Sequence, residues 1–562
     1  MGTENAASAG LRNPVLRLLW HRQLDGYPGD ARRYTNLAIV VVVTITLYYQ
    51  LYVAGAVAPS ILRDYGMSFL FFVNLLVVTN VLGAFASLLA GLADRWGRAN
   101  MVTWGLALTT VLTLFAVPNM PDKWSFAAVV SVVGFVEGII LVATPALVRD
   151  FSPQLGRASA MGFWTLGPVA GSLVVAEVSS HTLPVLHAWQ DQFVICGIAS
   201  AVVFLIALVG LRELAPGLRD QLMVSVQDRA LIEARAQGVD IDESLRHPWR
   251  QMLHFDIIGS AFAISVFLLI YYTAVGFLVI YLTTIYGFSE SQANALGNWF
   301  WAFDAGALIV TGAVSDWIGV RKPFMLAGAV GAIVMTILFL RTTQHPSTTF
   351  FSLAGIFSLL AMCLAIVYAP WMASFTETVE RRNPALTATG LAVWGWIIRA
   401  VIASAFFALP FAVHSVTPLV NHGTQVARAA KAAGAQDKLV RAHPKLLHRV
   451  LRYPPDAVPH ALEQNARAAI GASALASVEK VRDDLNVLRR YGPAVKHAEQ
   501  AEATQWQDWW WICIGGEAVF IPLIFVMAGR WSPRRAREDA RAHKQQVQRE
   551  IEALSGTSES GP

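Results

Sequence analysis

Five ionisable side chains stand inside stretches that are otherwise apolar: Glu137, Glu177, Asp304, Arg399 and Glu517. Charges in such surroundings are costly and tend to mark functional sites. Glu137 is midway along its apolar run. Asp304 precedes Asp316 by 12 residues, about 18 Å along a helix at 1.5 Å per residue, which puts it near mid-depth. Arg399 is also central in its run, whereas Glu177 is nearer an end, where it can meet water. A carboxyl group held at mid-depth is suited to bind and release a proton as its surroundings alternate. Glu137 and Asp304 are therefore the proton-coupling candidates. Arg399 is suited to balance them or to bind an anionic group of a solute, and a structural ion pair between Glu137 and Arg399 is the alternative.

Aromatic side chains recur at the same depth. Tyr48, Tyr49 and Gln50 sit mid-run near the start of the chain, and Tyr271 and Tyr272 occupy the matching place further on. A tyrosine offers a flat apolar face and a hydroxyl, which suits an aromatic or amphiphilic solute. Adjacent tyrosines cannot all face one way on a helix. Trp394 and Trp396 are weaker candidates of the same kind.

The elements that must carry these residues are membrane-length helices. Hydrophobic residues make up 55% of the 562-residue chain and charged residues 14%, against about 25% charged in soluble domains. Twelve apolar runs lie near 36–58, 69–92, 101–118, 125–149, 158–179, 192–211, 256–284, 292–314, 323–341, 349–375, 385–412 and 507–529, each near the roughly 20 residues a spanning helix needs. Trp20, Trp124, Trp189, Trp371, Trp506 and Trp531 fall near their ends, where interfacial aromatics are expected. With both termini inside, the inner segments hold 26 Lys and Arg, while short outer loops hold three: Arg63, Lys123 and Arg341. The positive-inside rule thus puts both termini in the cytoplasm. This placement explains the net charge of +5 without nucleic acid. Cys196, Cys363 and Cys513 all fall in apolar runs, so neither a disulfide framework nor a metal site is expected.

The chain repeats itself. AGLADRWGR at 90–98 is answered by GAVSDWIGVRK at 312–322, with Asp94 and Asp316, and Gly97 and Gly319, each 222 residues apart. Tyr65-Gly66 and Tyr286-Gly287 follow at nearly the same distance. A duplicated membrane bundle is the architecture of secondary carriers, with a solute site between its halves.

These loops resemble the major facilitator superfamily signature G-x-x-x-D-R-x-G-R-R, here with Asp94, Arg95, Gly97 and Arg98 matching and with Ala90 and Ala99 departing from it. The second copy keeps Asp316, Gly319, Arg321 and Lys322. The resemblance implies a cytoplasmic latch between the two halves that breaks when the carrier inverts, with Asp150 and Arg157, and Glu377 and Arg381, as further members. GPVAG at 167–171 resembles the core of a signature associated with antiporters and efflux carriers, so Gly167, Pro168 and Gly171 are expected to kink and pack helix 5. The family implies that helices 1 and 7 line the cavity, which brings Tyr48, Tyr49, Gln50, Tyr271 and Tyr272 to a solute together with Arg399.

The expected fold is all-α: twelve transmembrane helices in two six-helix halves with an extracytoplasmic helical insert between helices 11 and 12. The expected parts are a cytoplasmic segment 1–34, a half at 35–211, a linker at 212–255 with a helix over 218–236, helices 7–11 at 256–412, the insert at 413–506, helix 12 at 507–529 and a tail at 530–562. Insert helices are expected near 424–433, 436–451, 460–472 and 474–490. The function expected is a proton-coupled carrier of a small organic or amphiphilic solute in a bacterial inner membrane, leaning toward export. Uptake of an organic anion, carriage of a lipid or envelope precursor, and a non-transporting receptor are the alternatives. The partners expected are the solute, protons, membrane lipids and an extracytoplasmic partner of 413–506. No motif for a nucleotide, cofactor, metal or catalytic nucleophile is present.

Overall fold

The glycines that mark the sequence repeat also mark its backbone. Gly97 and Gly319 adopt φ of 89° and 78°, and Gly66 and Gly287 adopt 57° and 67°. Positive φ is open to glycine at little cost and strains residues with a Cβ. Duplicated glycines therefore enforce duplicated turns. The computed structural model describes residues 20, 22–87, 96–151, 157–215, 218, 251–382, 387–454, 457–527, 529, 531–535, 538 and 542.

The described chain is almost wholly helical. Its first part comprises α1 (Asp30–Ala56), α2 (Ala58–Tyr65), α3 (Phe69–Ser87), α4 (Arg98–Val111), α5 (Lys123–Phe151), α6 (Arg157–Leu186) and α7 (Trp189–Gly210). The second part comprises α8 (Phe255–Phe267), α9 (Leu269–Ile285), α10 (Glu290–Ile318), α11 (Lys322–Thr342), α12 (Phe350–Arg382) and α13 (Thr387–Ala412). Helices α8 and α9 are one membrane-length run interrupted at Leu268, where φ is −82° and ψ is 9°. A capping box starts α10: the Ser289 hydroxyl accepts from the Gln292 N–H while the Gln292 side chain accepts from the Ser289 N–H, and Gly319 ends it in the left-handed conformation.

Among the described residues, ten helices are long and apolar enough to cross a membrane. The expected run at 292–314 lies in α10, and that at 507–529 lies in a helix from Arg482 to Leu523 as far as Leu523, where the helix ends. They are less apolar because the first carries Asn294, Asn298 and Asp304 and the second Gln507, Asp508 and Glu517. Side chains at the centre of the first half, among them Val40, Val43, Leu47, Leu106, Leu147 and Ala207, form one buried cluster drawn from α1, α4, α5 and α7.

A short strand pair fastens the chain beside that bundle. Gln23–Leu24 (β1) pairs in parallel with Glu213–Leu214 (β2). Arg22 is wholly buried and donates to the carbonyls of Ala207 and Leu208 at 3.0 and 2.7 Å. It thus caps the C-terminal end of α7, where a cation is favoured. Burial, and then neighbouring Arg212, lowers the Arg22 pKa to about 10, with Glu213 opposing.

The chain divides into two compact units, the second made of residues 59–72 and 409–509. Its helices are α14 (Thr424–Ala442), α15 (Pro444–Val450), α16 (His460–Ile470), α17 (Ala472–Lys480) and the first part of α18 (Arg482–Leu523). This unit has a core of its own, including Val440, Leu447, Leu462, Leu475 and Leu485. Of the four helices expected from sequence here, 460–472 matches α16, whereas α14 runs through the break expected after 433, the expected 436–451 helix is divided at His443 and the expected 474–490 helix at Val481. The 218–236 helix of the linker lies outside the described residues.

Three of the six tryptophans placed at interfaces are buried instead: Trp189, Trp371 and Trp506. Trp371 donates its indole N–H to Ser260 Oγ at 3.0 Å and stacks on Phe375. Its polar end is satisfied by protein, so water is not needed. Trp20, Trp124 and Trp531 are exposed.

Candidate functional site

A cavity of about 330 Å³ opens among the long helices, and both parts of the repeat line it. Of the residues singled out from sequence, Tyr48, Gln50, Glu137, Pro168, Tyr271, Tyr272, Asp304, Arg399 and Trp394 line it. Tyr49 does not. It is buried on another face of α1, because neighbouring helical residues point about 100° apart. Tyr52, four residues on from Tyr48, takes its place, and the two rings lie 5.5 Å apart. That i, i+4 relation was present in the sequence as a signal. Tyr368 also lines the cavity and carried no such mark. Tyr271 and Tyr272 both reach the cavity, ring edge to ring face at 5.3 Å. Trp396 is exposed and is not among the lining residues.

The two central acids are buried: Glu137 is 1% exposed and Asp304 2%. Both Glu137 oxygens and Asp304 Oδ2 have no hydrogen-bond partner among the described residues. Arg399 is exposed to the cavity and makes no ion pair with either acid. The structural pair Glu137–Arg399 is therefore not formed. Tyr48 lies within electrostatic reach of both Glu137 and Arg399, and Tyr271 and Tyr368 within reach of Asp304.

Glycines bring the helices close enough to place these groups. A Cβ on Gly138 would stand 2.6 Å from the Gly83 Cα, so α3 and α5 meet backbone to backbone beside Glu137. A Cβ on Gly171 would meet the Tyr48 Cβ at 2.5 Å, and one on Gly167 would meet Thr44 Cγ2 at 2.8 Å. Gly167 and Gly171 thus seat α6 on α1 directly behind Tyr48, as small residues do between membrane helices. Glu517 is fully buried, accepts from Thr336 Oγ1 at 2.8 Å and is not among the lining residues.

The halves meet tightly at one end. Asn298 Nδ2 donates to Glu177 Oε2 at 2.6 Å and to Ser180 Oγ at 3.2 Å. Ser291 Oγ donates to the Ser180 carbonyl at 2.7 Å, and Asn294 Nδ2 to the Ala56 carbonyl at 2.9 Å. A Cβ on Gly55 would stand 2.9 Å from the Val275 carbonyl oxygen. Glu177 therefore belongs to a contact between α6 and α10 and does not line the cavity.

The repeated loops stand at the other end. Arg98 Nη1 contacts both Asp150 oxygens at 3.0 and 2.9 Å. In the second half Arg321 pairs with Asp316 at 2.6 Å and with Glu377 at 3.2 Å. The described pairs thus join helices of the same half. Asp94 and Arg95, and the side chain of Arg157, lie outside the described residues. Arg381 is exposed, and its neighbour Arg382 pairs with Asp256 at 3.0 Å. Glu213, which no motif marked, accepts the Arg98 N–H at 2.7 Å.

The described geometry is a bundle of apolar helices around a largely apolar cavity that holds a few ionisable groups. The chain matches the family described as Major Facilitator Superfamily over residues 40–408. The chain belongs to that family. It is thus an integral, multi-pass membrane protein with the fold of a transporter. It is similar to "Efflux pump radE" of Floropilus chiversii, 25% identical over 33% of this chain and 35% of that protein. It is 22% identical to the "Phosphoglycerate transporter protein" of Salmonella typhimurium over 53% of this chain and 65% of that one. It is 26% identical to "Probable nitrate/nitrite transporter NarK2" of Mycobacterium tuberculosis over 59% and 78%. The chain spans about a third of the length of the first of these and just under two thirds of the second. In fold it is similar to a bacterial homolog of the human lysosomal transporter Spinster, with a TM-score of 0.52 and 15% identity over 90% of this chain and 100% of that one. The xylose transporter XylE from E. coli gives 0.52 at 14% identity over 67% and 89%.

Proposed function

We propose that this protein is a proton-coupled secondary carrier of a small organic or amphiphilic solute, working by alternating access and leaning toward export. The observation that carries this reading is the pair of buried carboxyl groups, Glu137 and Asp304, which line the cavity without hydrogen-bond partners at Oε1, Oε2 and Oδ2 among the described residues. Groups so placed exchange protons with whatever side the cavity faces. The cavity is at the lower end of the roughly 300–1,000 Å³ typical of small-molecule sites, which favours a small solute.

In this reading twelve helices cross a bacterial inner membrane with both termini in the cytoplasm, and residues 413–506 form an extracytoplasmic insert. The closed end at Asn298 and Glu177 is then external, and the arrangement is inward-facing. Asp94, Arg95, Arg98, Asp150, Arg157, Asp316, Arg321, Glu377 and Arg381 serve the cytoplasmic loops that rearrange on inversion. The second reading, uptake of an organic anion, is favoured by one feature: Arg399 is exposed in the cavity without an acidic partner among the described residues.

Solute-driven proton flux in proteoliposomes, screened over charged and amphiphilic compounds, tests the proposal. A compound that moves protons in wild-type protein and fails to do so in a Glu137→Gln/Asp304→Asn double variant supports it. Transport with unchanged proton movement in that variant removes the coupling.

A further inference from the structure

Resting on the reading of this cavity as a solute site, we infer that its solute carries two heads, an amine and an anionic group, joined by a flat apolar body. The inference comes from how the charges are distributed. The acids Glu137 and Asp304 offer acceptors that nothing in the described protein satisfies. Arg399 offers donors and makes no ion pair with either acid, although all three line one cavity. Leaving the two buried acids unpaired is costly, and Arg399 is exposed to the cavity, so each sign of charge is open to a solute group of the opposite sign.

A cation alone would leave the guanidinium unmatched, and an anion alone would leave both carboxyl groups unmatched. An amine at the acids and a carboxylate or phosphate on Arg399 matches all three. The planar fork of arginine suits the second contact. One acid can then hold the amine while the other is left to carry a proton.

The space between the charges is aromatic. Tyr48 lines the cavity together with Glu137 and Arg399, its ring beside that of Tyr52. Tyr272 lines the same cavity as Arg399. Rings in these places accept a flat apolar body and attract an ammonium group over their faces. The neutral polar groups of the lining are the hydroxyls of five tyrosines, the Trp394 indole and the side chains of Gln50, Thr79, Asn80 and Thr113.

Three probes that share one ring decide the matter: benzylamine, benzoate and 4-(aminomethyl)benzoate, measured by calorimetry on the purified full-length protein. The two-headed probe is expected to bind about tenfold or more tighter than either single-headed one, since charge-assisted hydrogen bonds are worth about 1.5–3 kcal/mol. Arg399→Ala should reduce it to the level of benzylamine, and Asp304→Asn to that of benzoate. Arg399→Lys, which keeps the charge, should keep the preference and shows that the site still folds. Benzylamine or benzoate binding as tightly as the two-headed probe, or a preference that survives Arg399→Ala, overturns the inference. Proton flux driven by a single-headed solute removes the two-headed solute and leaves the carrier in place. No binding of any probe, together with no proton movement in the wider screen, removes both.

Discussion

The carboxylate of Glu213 accepts the backbone N–H of Arg98 at 2.7 Å, so the residue just after α7 caps the start of α4. The glycine before Arg98 makes this possible, because a Cβ on Gly97 would collide with Glu213 Oε1. An acid at a helix N-terminus satisfies an orphan donor and complements the helix dipole. Glu213→Ala is expected to cost about 1 kcal/mol of stability and to slow turnover while leaving solute affinity unchanged. Thermal unfolding and proteoliposome kinetics measure the two effects. A variant that melts and turns over like the parent would show that the cap is idle.

The two repeat-related ion pairs should differ in worth. The Asp150 side chain is 3% exposed and Arg98 11%, whereas Glu377 is 42% exposed beside Arg321 at 15%. Removing one partner of a buried pair costs about 3–5 kcal/mol, and exposed pairs are worth roughly 0–1 kcal/mol. Arg98→Ala should therefore destabilise far more than Arg321→Ala, and Asp150→Asn added to Arg98→Ala should recover part of the loss. Equal effects in both halves would contradict this.

Asp304→Asn and Glu137→Gln should each insert normally, because each removes a buried acid that lacks a full set of partners. The variant at the proton-carrying position should lose pH-driven accumulation and keep solute-for-solute exchange. Accumulation that tracks the pH gradient normally in both singles and in the double variant would be incompatible with either acid carrying the proton.

Asn298 ties α10 to Glu177 and Ser180 on α6. Asn298→Ala should loosen that end and raise the population open there. A cysteine at Ser291, reacted with a membrane-impermeant maleimide, should label severalfold faster in this background, since one hydrogen bond is worth about 0.5–1.5 kcal/mol. Unchanged labelling would mean that this contact does not set the closure.

The helices and turns were legible because their signals are local. Apolar runs set the spans, and Gly97 and Gly319 announced their turns by type and spacing. The cavity was legible at three of the five charges that interrupt a run, Glu137, Asp304 and Arg399, while Glu177 and Glu517 are held elsewhere. What could not be read were contacts between elements distant in the chain: Glu213 with Arg98, Arg382 with Asp256, and Asn298 with Glu177. Trp371 failed for the same reason. Its position near a run's end said interface, and only its partner Ser260, 111 residues away, makes it core.

Gly167 and Gly171 touch Tyr48 from behind, and this has a consequence for how such a carrier can diversify. One added methyl at Gly171 leaves no room for the present seat of Tyr48, so α6 must retreat or the ring must tilt, at about 1–3 kcal/mol of overpacking. Either response remodels the wall of the binding chamber while every residue facing it keeps its identity. Two relatives with identical lining residues can therefore prefer different cargo. The choice between them is written in a layer that the cargo never meets.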